Sequence, residues 1–104
     1  MSRGPDAATQ LERALLAGAE AAGCPLAVTE AELTRWASVT FTGARHMLTL
    51  AGTASPALTR WIDALPEAEF ALRGHLVADL SVEAVRREGA AVRVMLEVLT
   101  VEER

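Results

Sequence analysis

A helix-like segment followed by two strand-like segments occurs twice in this chain, and this order constrains the fold more than any other feature. The clearest strand signal lies in the second half, where apolar residues recur at every second position through residues 76–84 and again through residues 92–98. That period is typical of a strand with one buried face. The pattern predicts a β-hairpin with its turn near residues 86–89. The inward-facing residues of its first strand are predicted to be Leu76, Ala78, Leu80, Val82 and Ala84.

The first helix is predicted over residues 6–22, which are rich in alanine, leucine and glutamate. Asp6 is suited to cap its N-terminus, and Gly23 followed by Pro25 ends it. Cys24 follows directly and is predicted to be a structural thiol. Four residues are predicted to form the apolar stripe that faces the core, namely Leu11, Leu15, Gly18 and Ala22.

The second helix is predicted to begin at Ser55 and Pro56 and to end at Pro66. Serine at the N-cap with proline in the first turn is a favourable start, because the N–H that proline lacks would have no helical partner there. Apolar residues at helical spacing predict a core-facing stripe, formed by Leu58, Trp61, Ile62 and Leu65.

The first hairpin is predicted from a shorter alternating pattern. Residues 26–35 are mostly polar and are predicted to form a connector, whereas Val39 and Phe41 alternate with polar residues and predict a strand over residues 38–42. Gly43 is predicted to take a positive φ in a turn. A second strand then follows over residues 46–51, with Leu48 and Leu50 on one face.

These elements predict one α+β domain over residues 1–104, with its core in residues 6–101. The order α-β-β-α-β-β gives a four-stranded antiparallel sheet with two helices on one face, a circularly permuted ferredoxin-like arrangement. The last strand is apolar on both faces, so we expect it inside, with strand order 1-2-4-3 and residues 38–42 at an edge. The predicted core comprises Leu48, Leu50, Leu58, Trp61, Ile62, Leu65, Val94 and Leu96.

Residue types that carry chemistry are sparse. The net charge is −4 and the basic residues are scattered arginines, so the sequence lacks the basic stripe that nucleic acids require. No apolar run approaches the ~20 residues that span a bilayer. His46 and His75 lie on different elements, with His46 expected at the surface, and the glycines do not form a phosphate-binding loop. We expect no enzymatic activity, no metal and no cofactor.

Trp36, Val39 and Phe41 are the candidate interface residues. Residues 38–42 contain no charge and no proline, the residues that normally protect an edge strand from pairing with another chain. For Trp36 beside them two interpretations are open, burial in the core and an aromatic anchor of the kind that dominates interface energies. We expect a homodimer, or a heterodimer with a sister domain, that covers this region. The alternative is that residues 26–35 fold over the edge and leave a monomer.

The chain from Val39 through Ser55 and on to Leu65 resembles the periplasmic domain of the PilN family of type IV pilus assembly proteins. It is also similar to the L and M platform proteins of type II secretion. The similarity lies in a hairpin, a Gly-x-Ala-Ser helix start at Gly52, an apolar helix and a closing strand, and it covers roughly residues 36–101. It implies a ferredoxin-like domain without catalytic residues. It also implies pairing with itself or with a sister domain of the same machine.

Two functions follow as expectations. The first is a non-catalytic interaction or scaffold domain, located at the periplasmic face of the inner membrane if the chain is a trimmed domain of a platform protein, and otherwise in the cytoplasm. The alternative is a regulatory domain that binds a small molecule, because ferredoxin-like sheets often hold ligands. A polar-lined pocket at the sheet would favour the alternative.

Overall fold

The order of elements in the structure is the one that the sequence predicts. The computed structural model describes residues 6–103, so the predicted domain limits at residues 1 and 104 lie outside the described residues. The elements are α1 (Ala7–Ala21), β1 (Ala27–Ala37), β2 (Thr42–Thr53), α2 (Pro56–Ala64) with a short 3-10 turn (Leu65–Glu67), β3 (His75–Glu88) and β4 (Ala91–Glu102). The four strands form one antiparallel sheet in the order β1-β2-β4-β3, which confirms the predicted α+β fold of ferredoxin-like type.

Helix α1 is capped as its sequence predicts. The side chain of Asp6 accepts a hydrogen bond of 2.9 Å from the backbone N–H of Thr9. The buried face differs from the predicted stripe, however, because Gly18 and Ala22 are exposed. The residues that face the sheet are spaced every four positions and are Ala7, Leu11, Leu15 and Ala19.

Helix α2 begins at the predicted proline. The hydroxyl of Ser55 accepts a hydrogen bond of 3.0 Å from the N–H of Leu58, and Pro56 is in the first turn. Leu58 and Ile62 are buried, whereas Trp61 is only half-buried. A Cβ added at Gly18 would lie 3.6 Å from Nε1 of Trp61. Trp61 therefore lies against α1, and its partial exposure follows from its position between the two helices.

A single hydrophobic cluster joins both helices to one face of the sheet. The helices contribute residues such as Leu11, Leu15 and Leu58, and the sheet contributes alternate residues of β2 and β4. Seven of the eight predicted core residues are buried, with Trp61 the exception. Cys24 is also in this cluster, and burial raises the pKa of its thiol. Because both helices lie on this face, the opposite face of the sheet is left without a helix.

The prediction that residues 26–35 form a connector is wrong. These residues belong to β1, the edge strand that pairs with β2 from Ala27 to Ala37. Only Val28 and Trp36 are half-buried in this strand, and a bulge at Thr29 shifts its register. An exposed edge strand with a bulge has no simple alternation of apolar and polar residues, so its sequence resembles a loop.

The prediction of an edge strand over residues 38–42 is also wrong. Residues 38–41 form the turn between β1 and β2, and the edge lies in β1. Three hydrogen bonds between Ser38 and Phe41 close this turn. The N–H and the hydroxyl of Ser38 donate to the carbonyl of Phe41 at 2.7 Å and 3.2 Å, and the N–H of Phe41 donates to the hydroxyl of Ser38 at 3.0 Å. Gly43 lies within β2 and does not have a positive φ.

Glycine is required at position 43 because the backbone of Thr100 and the ring of Trp36 approach it closely, and not because of a turn. A Cβ at this position would lie 2.0 Å from the carbonyl oxygen of Thr100 and 2.7 Å from the ring of Trp36. We expect Gly43→Ala to lower the free energy of unfolding by about 1–3 kcal/mol, the usual cost of overpacking. Urea denaturation measures this effect. The matched variant Gly18→Ala, on an exposed helical position, should be neutral or stabilising, and an equal loss in both variants would contradict the explanation.

Strand β3 departs from the predicted alternation because it contains two bulges. The register of β3 against β4 shifts at Ala78 and again at Glu83. Each bulge moves the following side chains to the other face. As a result Leu76 is 54% exposed, whereas Leu80 is buried. The hairpin turn follows at Gly89, which has the positive φ that favours glycine.

Candidate functional site

The face of the sheet opposite the helices carries a row of neighbouring residues that crosses all four strands. Trp36 in β1 pairs with Gly43 in β2, Gly43 pairs with Val101 in β4, and Val101 pairs with Leu76 in β3. Paired residues in an antiparallel sheet project from the same face. The row is therefore a continuous apolar strip, and we call the helix-free side of the sheet the open face.

More apolar side chains continue this strip. Met47 is 40% exposed on the open face, and Leu99 and Met95 are half-buried on β4. Charged residues of both signs lie among them, including an ion pair of 3.1 Å between Nε of Arg45 and Oε2 of Glu97. A contiguous apolar strip among polar and charged residues is a candidate protein interface.

The three predicted interface residues lie at one end of the open face. Trp36 is in the apolar row, while Val39 and Phe41 are in the turn that follows it. Val39 is fully exposed and Phe41 is 51% exposed. The sequence did not reveal Leu76, because the bulge at Ala78 turns it to the open face against the predicted alternation.

The indole N–H of Trp36 lacks a hydrogen bond. Among the buried side-chain polar atoms of residues 6–103, Nε1 of Trp36 is the one without a partner. A buried indole N–H usually donates to an acceptor. The ring is held instead by its contact with Gly43. This arrangement places the aromatic ring close to the sheet at Gly43, at the cost of one unsatisfied donor.

A second feature is a cleft of about 520 Å³ on the helix side of the sheet, which we call the α1 cleft. It lies where α1 begins, between the ends of β1, β2 and β4 and the segment before β3. Its polar lining is formed by Asp6, Arg35, Arg73, His75, Thr100, Glu102 and Glu103. Hydrogen bonds from Thr9 lower the pKa of Asp6.

His46 is buried beside this cleft, contrary to the prediction that it lies at the surface. It is 2% exposed on the core side of β2, and its Nε2 is 2.9 Å from the hydroxyl of Thr100. That hydroxyl is 3.4 Å from the carbonyl oxygen of Ala44 and donates to it. Nε2 of His46 therefore carries the proton and donates to Thr100, which leaves Nδ1 as an acceptor.

The burial of His46 makes stability depend on pH. Burial, and secondarily the charge of His75, lower the pKa of His46, while Asp6 opposes this shift. Between the lowered pKa of the folded state and the ordinary histidine pKa of about 6.5, His46 of the unfolded chain therefore binds a proton that His46 of the folded chain does not. We expect full stability above that pH and a decline as the pH falls towards the pKa of the folded state. Thermal unfolding at neutral and mildly acidic pH measures the decline, which should shrink in His46→Gln; an unchanged decline would contradict it.

No protein-family model matches the chain, and a search of curated proteins gives no match. In residues 6–103 no helix is long and apolar enough to span a membrane. The same residues contain no group of three potential metal ligands placed to share an ion. The open face and the α1 cleft are the two surface features of residues 6–103 that are suited to binding a partner or a ligand.

Proposed function

We propose that this chain is a non-catalytic interaction domain that associates with a second copy of itself through the open face. The observation that carries the proposal is the apolar row from Trp36 to Leu76, which crosses the whole sheet on the side without helices. Exposed apolar residues extend it at Met47 and Phe41. Covering such a strip removes apolar area from water, the main favourable term in protein association.

The strand order supports a second copy as the partner. A two-fold axis parallel to the strands would place the open faces of two copies together, with β1 of one protomer over β3 of its partner. Trp36 would then lie opposite the partner's Leu76, and the reverse contact would form at the other end of the row. The interface would be isologous, as in most homodimers, and sheets pack in nearly this alignment.

The charges on the open face do not repel one another across this interface, but the carboxylates in it lose hydration and weaken the association. The registers place no charged residue opposite a residue of the same sign when β1 lies over the partner's β3 and β2 lies over the partner's β4. Acidic side chains instead meet neutral ones. The opposed pairs are Glu30 with the partner's Ala84, Glu32 with the partner's Ser81, Met47 with the partner's Glu97, and Thr34 with the partner's Asp79.

Pairing through a sheet edge is less favourable than pairing through the open face. The edge strand β1 carries Glu30, Glu32 and Arg35, and charged residues protect an edge from adding another strand. The other edge strand, β3, has two bulges, which also discourage pairing. The open face also carries charges, including Glu30 and Glu32, but its apolar row from Trp36 to Leu76 contains none.

The size of the open face limits the affinity. Four strands with ~4.8 Å spacing and about ten residues of each give roughly 600 Å² per copy, or about 1,200 Å² in total, the lower end of the standard range for specific interfaces. We therefore propose a dimer that forms reversibly at micromolar or higher concentration.

We also propose that the partner is a second copy or a sister domain of a secretion or pilus platform. The support is the resemblance between residues 36–101 and the platform families, together with the α-β-β-α-β-β order. Genes for such a machine beside the gene for this chain would strengthen the proposal, and a neighbourhood of unrelated genes would weaken it.

Analytical ultracentrifugation tests the association. The mass of the native chain should rise from monomer to dimer between micromolar and millimolar concentration. Raising the salt concentration should change the dissociation constant little, because the registers place the charges of the open face opposite neutral residues of the partner and not opposite other charges. A chain that stays monomeric at millimolar concentration would overturn the proposed function.

A further inference from the structure

We propose that the α1 cleft binds a small carboxylic acid that also carries an amino or hydroxyl group. The cleft lies on the helix side of the sheet, so this inference is independent of association through the open face. Its volume of about 520 Å³ exceeds what a few waters require. It falls within the range of roughly 300–1,000 Å³ that is usual for small-molecule sites.

The two arginines of the cleft supply the carboxylate-binding groups. Arg35 reaches it from β1 and Arg73 from the segment before β3, so they come from the two edges of the sheet. Within residues 6–103, neither guanidinium forms an ion pair with a carboxylate. A free guanidinium fits a carboxylate through two parallel hydrogen bonds.

The carboxylates of the cleft favour a ligand that also carries a hydrogen-bond donor. Glu102 and Glu103 lie at the end of β4, and Asp6 lies at the start of α1. These three acidic groups would repel a ligand that carries only negative charge, such as a phosphate. Asp6 accepts a hydrogen bond from Thr9, and Glu102 accepts one from Thr42, but each carboxylate has further acceptor sites to which an amino or hydroxyl group of the ligand would donate.

The floor of the cleft is polar as well. Thr100 lies there with its hydroxyl bonded to His46, in a sheet face whose other buried residues are almost all apolar. A buried polar pair costs desolvation that an apolar pair would avoid. The position of this pair beside the cleft is consistent with a floor that accommodates a polar ligand.

The wall that carries Arg73 is held in place by α1. The side-chain amide of Gln10 accepts a hydrogen bond of 2.6 Å from the N–H of Arg73 and donates one of 3.0 Å to its carbonyl. The N–H of Glu103 also donates to the carbonyl of Gly74 at 3.0 Å. The cleft is thus pre-formed, which reduces the entropy lost on binding.

Chemical-shift titration of the ¹⁵N-labelled chain tests this inference. The probes are glycine, L-serine, L-aspartate and lactate, with acetate and inorganic phosphate as comparisons, each raised to millimolar concentration. At least one of the four probes should shift the amide signals of Ala44 and Gly74 in a saturable way, and should bind more tightly than acetate or phosphate.

Variants locate the site. Arg35→Met and Arg73→Met should each weaken binding at least about tenfold, the loss expected for a charged hydrogen-bonding partner. Arg86→Met, an exposed arginine of β3 outside the cleft lining, should leave binding unchanged. The inference is overturned if none of the four probes binds, if phosphate binds most tightly, or if the arginine variants bind like the unmodified chain. A monomeric chain that still binds a probe would refute only the proposed association.

Discussion

Replacing Leu96 by alanine should lower the free energy of unfolding by about 2–5 kcal/mol, the cost of removing a fully buried leucine from a well-packed core. Leu96 is 0% exposed and lies in the central strand β4, paired with Leu48 on one side and Val82 on the other. Both helices pack on the same cluster, so truncation opens a cavity that no single element can close. Urea denaturation followed by circular dichroism measures the loss.

A matched truncation at an edge provides the control. Leu33 lies on β1 and is 43% exposed, so Leu33→Ala removes the same atoms from a site already in contact with water. Its cost should be well below that of Leu96→Ala. Equal losses for the two variants would show that β4 is not the centre of the core.

Replacing Leu76 by lysine should raise the dissociation constant of the dimer at least about 30-fold, the factor that corresponds to the loss of an interface hot spot of about 2 kcal/mol. Leu76 is 54% exposed in the monomer, so lysine is tolerated in the fold. In the dimer its ammonium group would have to be desolvated against the partner's Trp36, or displaced from the interface. Analytical ultracentrifugation measures the change.

Val85→Lys is the matched control, on the same strand but on the helix side. Val85 pairs with Val94, a core residue, and is 36% exposed near the end of the hairpin. The same charge is thereby introduced away from the open face. This variant should dimerise like the unmodified chain, and an equal loss of association in both would indicate a general effect of charge.

The elements with strong local signals could be predicted from the sequence. The caps at Asp6 and Ser55 locate the starts of both helices, because capping is a local hydrogen bond between neighbouring residues. Strand β4 was predicted as central because it is apolar on both faces, and it lies between β2 and β3. The predicted strand order 1-2-4-3, which rests on this central position of β4, is also confirmed.

The elements that were predicted incorrectly are those whose structure depends on contacts with other strands. Strand β1 packs little against the helices, so its residues show no alternation, and the bulges of β3 move Leu76 out of the predicted face. Gly43 resembles a turn glycine in sequence, although it is needed for the contact with Trp36. His46 was placed at the surface, because sequence alternation alone does not show that Thr100 meets it in the core.

The candidate site could be predicted from the sequence only in part. Trp36, Val39 and Phe41 are large apolar residues next to each other in sequence, so their shared location needs no knowledge of strand pairing. Their continuation through Val101 and Leu76 depends on the registers of three strand pairs. The arginines of the α1 cleft are 38 positions apart in the sequence, and only the folded sheet brings them to one end.

Intermolecular nuclear Overhauser effects test the central claim most directly. A sample that mixes isotope-labelled and unlabelled chains, recorded with isotope filtering at a concentration where the dimer dominates, reports only contacts between protomers. We expect cross-peaks from the indole protons of Trp36 to the methyl groups of the partner's Leu76 and Val101. Intermolecular cross-peaks from Leu33 at the β1 edge, with none from Trp36, would contradict association through the open face.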